Sequence, residues 1–219
     1  EGENRRSYSG EYKFTAEKAG KATYRVYALN SRAVYMGDGY KSVTVDVQPS
    51  FMFTANRRVY LPDTTTKENP SFYSISKGES YSYNNGKANS ADIDFGVYRT
   101  SVTSNGVTSY VYNLYSPSIA TSPLTVYDIS DWQKRGTKFS APQNGKTSLF
   151  NNTLVSGMAI ETEAKKVSIN LLGTTTGLAL GRVVFFLTPD GKYGAIHINE
   201  ITQDLDRKPF ISISVKVQK

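Results

Sequence analysis

Apolar and polar residues alternate along much of this chain, and this pattern constrains its fold more than any other feature. In ISISVKVQ, residues 211–218, every second residue from Ile211 to Val217 is Ile or Val, and Ser or Lys separates them. Successive side chains of a strand point to opposite faces, so this period predicts strands with one buried face. The same period recurs in YKFTA, ATYRVYAL, KSVTVDVQP, DIDFGVYR, SYVYNLYSP, MAIETEA and KKVSINLL.

Turn residues separate these runs, as in EKAGK, MGDGY, SNGV, QNGK and PDGK. Strand, turn and strand at this spacing favour a sandwich or barrel over a β-α-β fold. One stretch predicts a helix, SDWQKRG at 130–136, with Ser130 as its N-cap and Gly136 at its end. A second helical turn is predicted near NNGKANSAD. We therefore predict an all-β protein whose main domain is a β-sandwich or barrel.

The predicted domain boundary lies at VDVQPSFMF, near Pro49. Residues 1–49 have the pattern of the last strands of an immunoglobulin-like sandwich, and residues 50–219 form the main domain. Three or four strands are few for an independent sandwich. We therefore expect residues 1–49 to pack on the main domain or on another chain.

Composition excludes several kinds of site. The chain has no cysteine, which rules out disulfides and thiolate chemistry within it, and it contains a single histidine. Its net charge of +7 comes from basic residues scattered singly or in pairs. Proteins that bind nucleic acid concentrate such charge on one face, so we predict no nucleic-acid partner. We also predict no cofactor and no metal.

The single histidine, His197, lies in YGAIHINEI after the hairpin sequence TPDGK. Alternation places it with Asn199 on the face opposite Ile196 and Ile198, and we predict that this face is partly open to water. A catalytic base needs an orienting partner and a pocket, and the sequence offers neither. We therefore interpret His197 as an ordinary polar residue of a sheet.

Paired carboxylates are the other candidates for chemistry. Asp92 and Asp94 share one face of a predicted strand, and Asp204 lies near Asp206, but neither pair has the spacing of a calcium loop. A hydrolase would need two acids about 5–10 Å apart. Glu161 and Glu163 alternate on the predicted strand MAIETEA, but Lys165 and Lys166 follow them, which indicates a solvated face.

Aromatic side chains are the better candidates for ligand binding, because Tyr and Trp can stack on sugar rings. The predicted ligand-binding residues are Tyr110, Tyr112 and Tyr115 of SYVYNLYSP and the only tryptophan, Trp132. The alternative is that alternating tyrosines pack between strands and that Trp132 fills the core.

Three stretches in the same order resemble domains of uncharacterised surface lipoproteins of Bacteroides-type bacteria. They are ISKGESYSYNNGKANSADIDFGVYR, SDWQKRGTKFSAP, and GRVVFFLTPDGKYGAIHINEI with the closing ISISVKVQK. The resemblance covers roughly residues 70–219. It implies export to the cell envelope, a lipid anchor upstream of residue 1, and a role in nutrient capture or adhesion. In such proteins Asp63-Thr64-Thr65 has the pattern of an O-glycosylation site on Thr64.

The sequence thus favours a non-catalytic, exported cell-surface protein that binds a glycan or a surface protein. Its contact with a membrane would be through the lipid anchor. The alternatives are a carbohydrate-active hydrolase or its accessory subunit, and a fimbrial-type structural subunit.

Overall fold

A computed structural model describes Glu11, residues 19–37 and residues 39–219 of the chain. The chain divides into two compact units, Glu1–Pro49 and Ser50–Lys219. In the described part of the first unit, strands β1 (Gly20–Val26) and β2 (Lys41–Val47) form an antiparallel pair. The predicted strand YKFTA lies outside the described residues. Many apolar side chains of this unit are exposed, among them Val26 and Val43.

The second unit is built from ten strands in two antiparallel sheets. In chain order the strands are β3 (Phe51–Tyr60), β4 (Pro70–Ser74), β5 (Glu79–Ser82), β6 (Phe95–Ser104), β7 (Val107–Tyr115), β8 (Lys138–Phe139), β9 (Thr174–Leu178), β10 (Val183–Leu187), β11 (Tyr193–Gln203) and β12 (Pro209–Gln218). The front sheet has the order β3-β12-β11-β10-β8, and the back sheet has the order β5-β4-β6-β7-β9. The prediction of an all-β fold with a sandwich is confirmed.

The main core lies between the inner faces of the two sheets. Period-two alternation explains it, since Ile211, Ile213, Val215 and Val217 of β12 all point into it. From the back sheet it receives apolar side chains of β4, β6, β7 and β9, which are Tyr73, Phe95, Val97, Leu114 and Leu178. The predicted strand VVFFL is β10, and its first four residues are buried on both faces as expected.

Two helices cover part of the outer face of the front sheet, and sequence reasoning missed both. They are a π-helix, Leu149–Thr153, and α2, Gly157–Ala164. The prediction of a strand at MAIETEA is wrong, because Ser156 caps a helix there by accepting a hydrogen bond from the Ala159 amide at 3.1 Å. Ile160 and Ala164, four residues apart, then pack on Phe185 of β10.

Two further predictions of local structure are wrong. KKVSINLL is not a strand, and only Leu171 forms a bridge, with Phe139. The stretch 130–136 is not a helix: residues 130–132 form a turn, which Asp128 rather than Ser130 organises, and residues 133–136 are irregular. The Asp128 carboxylate accepts a hydrogen bond from the Ser130 amide at 2.9 Å, which closes an Asx turn.

The predicted helical turn near NNGKANSAD is confirmed as α1, Tyr83–Gly86, followed by a 3₁₀-helix, Lys87–Asp92. Together with the loop after β7 it covers the outer face of the back sheet. Trp132 from that loop packs on Phe72 with a ring centroid distance of 4.8 Å and on Tyr83 at 5.6 Å. The second unit is thus a sandwich with one outer cover on each sheet.

Candidate functional site

The helical cover leaves one part of the outer face of the front sheet open, and this part forms a groove. The groove has two adjoining halves of about 500 and 630 Å³, which share Arg58, Glu200 and Phe210. We call it the front groove. Its full lining is Asn56, Arg58, Leu180, Asn199, Glu200, Thr202, Gln203, Asp204, Leu205, Asp206, Phe210 and Ser212.

Strand register sets the order of side chains across the front groove. Glu200 of β11 pairs with Ser212 of β12, which pairs with Arg58 of β3, so the three lie in one row. Adjacent strands are about 4.8 Å apart, which places the backbones of Glu200 and Arg58 about 10 Å apart. Both side chains are exposed, and neither forms a salt bridge within the described part of the chain. The Arg58 guanidinium and the Glu200 carboxylate therefore lie on either side of Ser212. Both charged groups can still bind a ligand.

The next outward-facing row is Thr202, Phe210 and Tyr60. The Arg58 guanidinium lies over the Phe210 ring, 4.7 Å from its centroid, and this cation–π contact fixes the planar group above the floor. Phe210 also contacts Tyr60 at a centroid distance of 5.5 Å. Arginine held flat over an aromatic ring presents its remaining N–H donors to the groove.

The rims of the groove carry exposed leucines and a rigid turn. Leu180 is 72% exposed on the rim of one half, and Leu205 is 103% exposed on the rim of the other. The Asp204 carboxylate accepts hydrogen bonds from the amides of Asp206 and Lys208 at 3.0 and 2.8 Å, which fixes the turn that presents Leu205. Apolar tips beside polar floor groups suit a ligand with both C–H and hydroxyl surfaces.

His197 lies between the front groove and the helical cover, and its predicted exposure is wrong. The side chain is buried because the Phe150 ring of the π-helix stacks on it at 5.2 Å. Its Nδ1 lies 2.7 Å from Asn199 Oδ1, and its Nε2 lies 3.0 Å from Thr147 Oγ1. Asn199 in turn donates to Asn56 in the groove at 2.9 Å. The predicted face is right, and the cover that buries it was not visible in the sequence.

The structure does not bring the predicted aromatic residues onto one surface. Tyr115 and Trp132 are buried under the cover of the back sheet, as expected for core packing. Tyr112 packs against the main core. Tyr110 is 48% exposed, and Arg99 lies 4.1 Å from its ring centroid. None of these four side chains lines the front groove.

Thr64, the predicted O-glycosylation position, is exposed in a turn after β3. Asp63 shapes this turn by accepting a hydrogen bond from the Thr65 amide at 2.9 Å and others from Thr66. These bonds lower the pKa of Asp63, and the bond from the Thr66 side chain contributes most to the lowering.

Most of the carboxylates singled out in the sequence have structural partners. Glu161 and Glu163 lie on α2 and not on a strand, where they pair with Lys165 and Lys166 at 2.5 Å each. Asp92 lies 3.8 Å from Lys77. Among the described residues no group of three or more His, Asp or Glu side chains is arranged to hold a metal ion.

Asp94 belongs to a second, smaller cavity of about 160 Å³ at one end of the sandwich. Burial raises the pKa of Asp94, while hydrogen bonds from Thr137, the Ile75 amide and Arg135 oppose that rise. Arg135 donates to Asp94 at 3.0 Å and to Asp190 at 2.6 Å. Its three most strongly paired charged groups, Asp94, Arg135 and Asp190, already bond to one another, so it is the weaker candidate for ligand binding.

Sequence reasoning missed Arg58, Glu200, Phe210 and Ser212. Each occurs in a different part of an ordinary strand pattern, and only the register of β3, β12 and β11 brings them together. A pairing of β12 with a strand more than 150 residues earlier in the chain, as for Ser212 and Arg58, leaves no local signal.

Among the described residues no helix is long and apolar enough to cross a membrane. Comparison of the chain with protein-family models, with curated proteins and with solved structures gave no match. The resemblance to surface lipoproteins and the export that it implies therefore remain predictions.

Proposed function

We propose that this protein is a non-catalytic binding module of the bacterial cell envelope that takes a glycan in the front groove. The observation that carries the proposal is the row of Glu200, Ser212 and Arg58 across the open part of the front sheet. Sugar hydroxyls both donate and accept hydrogen bonds, so a carboxylate, a hydroxyl and a guanidinium in one row match them. Export to the cell surface, through an upstream lipid anchor, is part of the same proposal.

The shape of the site supports a chain rather than a small molecule. The two halves of the groove adjoin along the strands, and exposed leucines lie on the rim of each half. Small-molecule sites are usually concave and bury most of their ligand. An open groove with polar floor and apolar tips suits several consecutive sugar rings.

The hydrolase alternative has less support. The pair on which it depended, Glu161 and Glu163, is on α2 and paired with lysines. In the groove, Asp204 accepts two backbone hydrogen bonds of its own turn. A retaining or inverting mechanism needs two carboxyl groups that converge on one bond, whereas Glu200 lies across the floor from a cation.

The test is a glycan array followed by calorimetric titration of the strongest oligosaccharide. Arg58→Met and Glu200→Gln should each weaken binding at least about tenfold, because each removes a charge-assisted hydrogen bond. Lys138→Met and Glu163→Gln are the matched controls outside the groove and should leave affinity unchanged. Equal affinity in all four variants, or cleavage of the oligosaccharide, would refute the proposal.

A further inference from the structure

β6 and β7 extend well beyond the rest of the back sheet as a two-stranded hairpin. β4 pairs with β6 only at Phe95 and Gly96, and β9 pairs with β7 only from Tyr112 onward. Every residue from Arg99 to Tyr110 is exposed. Within the described part of the chain, no strand pairs with the outer edge of β6 after Gly96.

The free edge of β6 has backbone groups that point to solvent. Asn105 and Gly106 form the loop, with φ of 51° and 74°, so the hairpin has a two-residue turn with positive φ at both positions. Ser104 and Val107 beside the loop are then a hydrogen-bonded pair, and the pairs alternate along the hairpin. It follows that the N–H and C=O groups of Arg99, Ser101 and Thr103 point away from β7.

This edge lacks the usual protection against association. From Thr100 to Tyr127 the chain has no charged residue, although 21% of its residues are charged. Edge strands are normally blunted by charges, prolines or bulges, and residues 100–104 have none of these. A protein of net charge +7 repels its own copies. Self-association is favoured at a surface with little charge, and Arg99 is the only charged residue of β6 and β7.

We propose that two copies of this chain associate through β6, whose strands pair antiparallel about a two-fold axis at Ser101. In this register Ser101 faces Ser101 of the second copy and Arg99 faces its Thr103, so the two arginines do not meet. The outward groups of three residues from each copy form about six hydrogen bonds. The two hairpins become one four-stranded sheet.

The side chains of the hairpin agree with this arrangement. Val102 and Val107 lie on one face and are 49% and 70% exposed. In the dimer the valines of both copies form one continuous strip on that face. On the other face, Arg99 lies over Tyr110 of its own copy at 4.1 Å, which holds it beside the edge. The same strand serves both copies, which gives a closed, isologous interface.

The first test is sedimentation equilibrium of the full chain between about 1 and 500 μM. A concentration-dependent rise from 24.2 kDa to twice that mass is expected. Ser101→Pro removes an outward N–H and should weaken dimerisation at least tenfold. Thr108→Pro is the matched control, since it removes an outward N–H from the edge of β7 in the same hairpin, and it should leave the dimer intact.

A second pair of variants tests the register and does not depend on tolerance of proline. Thr103→Glu places a carboxylate opposite Arg99 of the second copy and should tighten the dimer at low salt. Thr103→Lys places a cation there and should weaken it, while both variants lose the same contact with Thr108. A monomer at every concentration, or equal association of the two Thr103 variants, would overturn the proposal. So would loss of the dimer in Thr108→Pro alone.

Discussion

His197 illustrates how one side chain can have the expected direction and an unexpected environment. Its ring joins the helical cover to the groove wall through Thr147 on one nitrogen and Asn199 on the other. Asn199 uses its amide nitrogen for Asn56 and Ser214, so its oxygen faces the ring and accepts a hydrogen bond from Nδ1. The ring therefore has a defined orientation and no free nitrogen.

On its predicted exposed face, His197→Gln would change the free energy of unfolding by less than about 1 kcal/mol. The buried ring leads to a larger value. Glutamine cannot stack on Phe150 and keep both hydrogen bonds, so the loss should be about 1–3 kcal/mol. Urea denaturation of the two proteins measures it. A difference below 0.5 kcal/mol, which is about the limit for exposed sites, would contradict the burial of the ring.

Lys216 is a second polar residue of the alternating pattern that is buried. Its ammonium group donates to the carbonyl oxygens of Phe150 and Leu154 at 2.7 and 2.9 Å and lies 4.8 Å from the centre of the Phe150 ring. Phe150 lies within the five-residue π-helix and Leu154 follows it, and the last four backbone acceptors of a helix lack partners within the helix. Burial lowers the pKa of Lys216, and the hydrogen bonds compensate for part of that cost.

Lys216→Met should therefore destabilise the protein by about 1–3 kcal/mol, because two buried carbonyls lose their donor while methionine fills the same space. Lys138→Met, at an exposed position of β8, is the control and should stay within about 0.5 kcal/mol. Thermal or chemical denaturation distinguishes them. An equally stable Lys216→Met would show that water can replace the ammonium group.

At the scale of elements, the sequence was sufficient to predict most strands but not the helices and loops that cover the outer faces of the sheets. β7 and β12 follow from alternation, and β10 follows from its unbroken apolar run, because each of the three has residues in a core. β2 also alternates, although its residues are exposed or only half-buried. MAIETEA alternates too, but a capping serine and the i, i+4 pair Ile160 and Ala164 select a helix. So short a stretch satisfies both the strand period and the helix period, and tertiary packing decides between them.

The front groove could not be predicted for a related reason. Arg58 and Ser212 come from the first and last strands of the second unit in chain order, and the register of these strands shifts at Ile213/Val215. The register that pairs Ser212 with Glu200 shifts at Ile198/Glu200. A bulge shifts the register by one residue and so changes which side chains share a row. Alternation shows which face a residue occupies only as far as the next bulge. It places Glu200 with Ile196 and Ile198, whereas the bulge after Ile198 turns Glu200 into the groove.

The α1 element depends on a close contact that only glycine allows. A Cβ on Gly86 would lie 2.3 Å from Cη2 of Trp132, although the φ of this residue, −67°, suits any amino acid. Gly86→Ala should thus displace the indole and cost several kcal/mol, approaching the loss of about 3–5 kcal/mol expected for Trp132→Ala.

Gly136→Ala is the matched control, because its Cβ would meet only Leu172 at 3.9 Å. Tryptophan fluorescence reports on both variants. The buried Trp132 should emit at short wavelength in the native protein and in Gly136→Ala, and the emission should shift to longer wavelength in Gly86→Ala. Unchanged emission in Gly86→Ala would contradict the packing of α1 on the indole.

At the scale of the second unit, the two sheets are joined at one end by ion pairs as well as by the core. Asp94 precedes β6 of the back sheet, and Asp190 lies in the β10–β11 turn of the front sheet, where Gly191 has a positive φ of 77°. Arg135 bonds to both carboxylates. The Asp94 side chain is 1% exposed and also accepts from Thr137 at 2.6 Å, so its charge depends on Arg135 for compensation.

Replacing Arg135 should therefore destabilise the protein by an amount that depends on pH. Arg135→Met leaves the Asp94 carboxylate buried without its cation, which typically costs about 3–5 kcal/mol near pH 7. The folded-state pKa of Asp94 is already raised by burial, and loss of Arg135 raises it further. A carboxyl group whose pKa is raised in the folded state stabilises the protein at low pH. That stabilisation is lost as the pH rises through the folded-state pKa. The bond to Arg135 lowers the pKa of Asp190 in the wild type. The Asp190 carboxylate therefore stabilises the wild type at higher pH, and this stabilisation is lost as the pH falls.

Asp94 and Asp190 both make the stability advantage of the wild type over Arg135→Met grow with pH. The difference in the free energy of unfolding should therefore be largest near pH 7 and shrink as the pH approaches 4. Asp94→Asn in the Arg135→Met background removes the uncompensated charge and should restore part of the loss. Denaturation of the four proteins of this cycle at pH 7 and pH 5 gives the coupling free energy at each pH. A coupling that is the same at both values, or a double variant no more stable than Arg135→Met, would mean that Arg135 joins the sheets by packing alone.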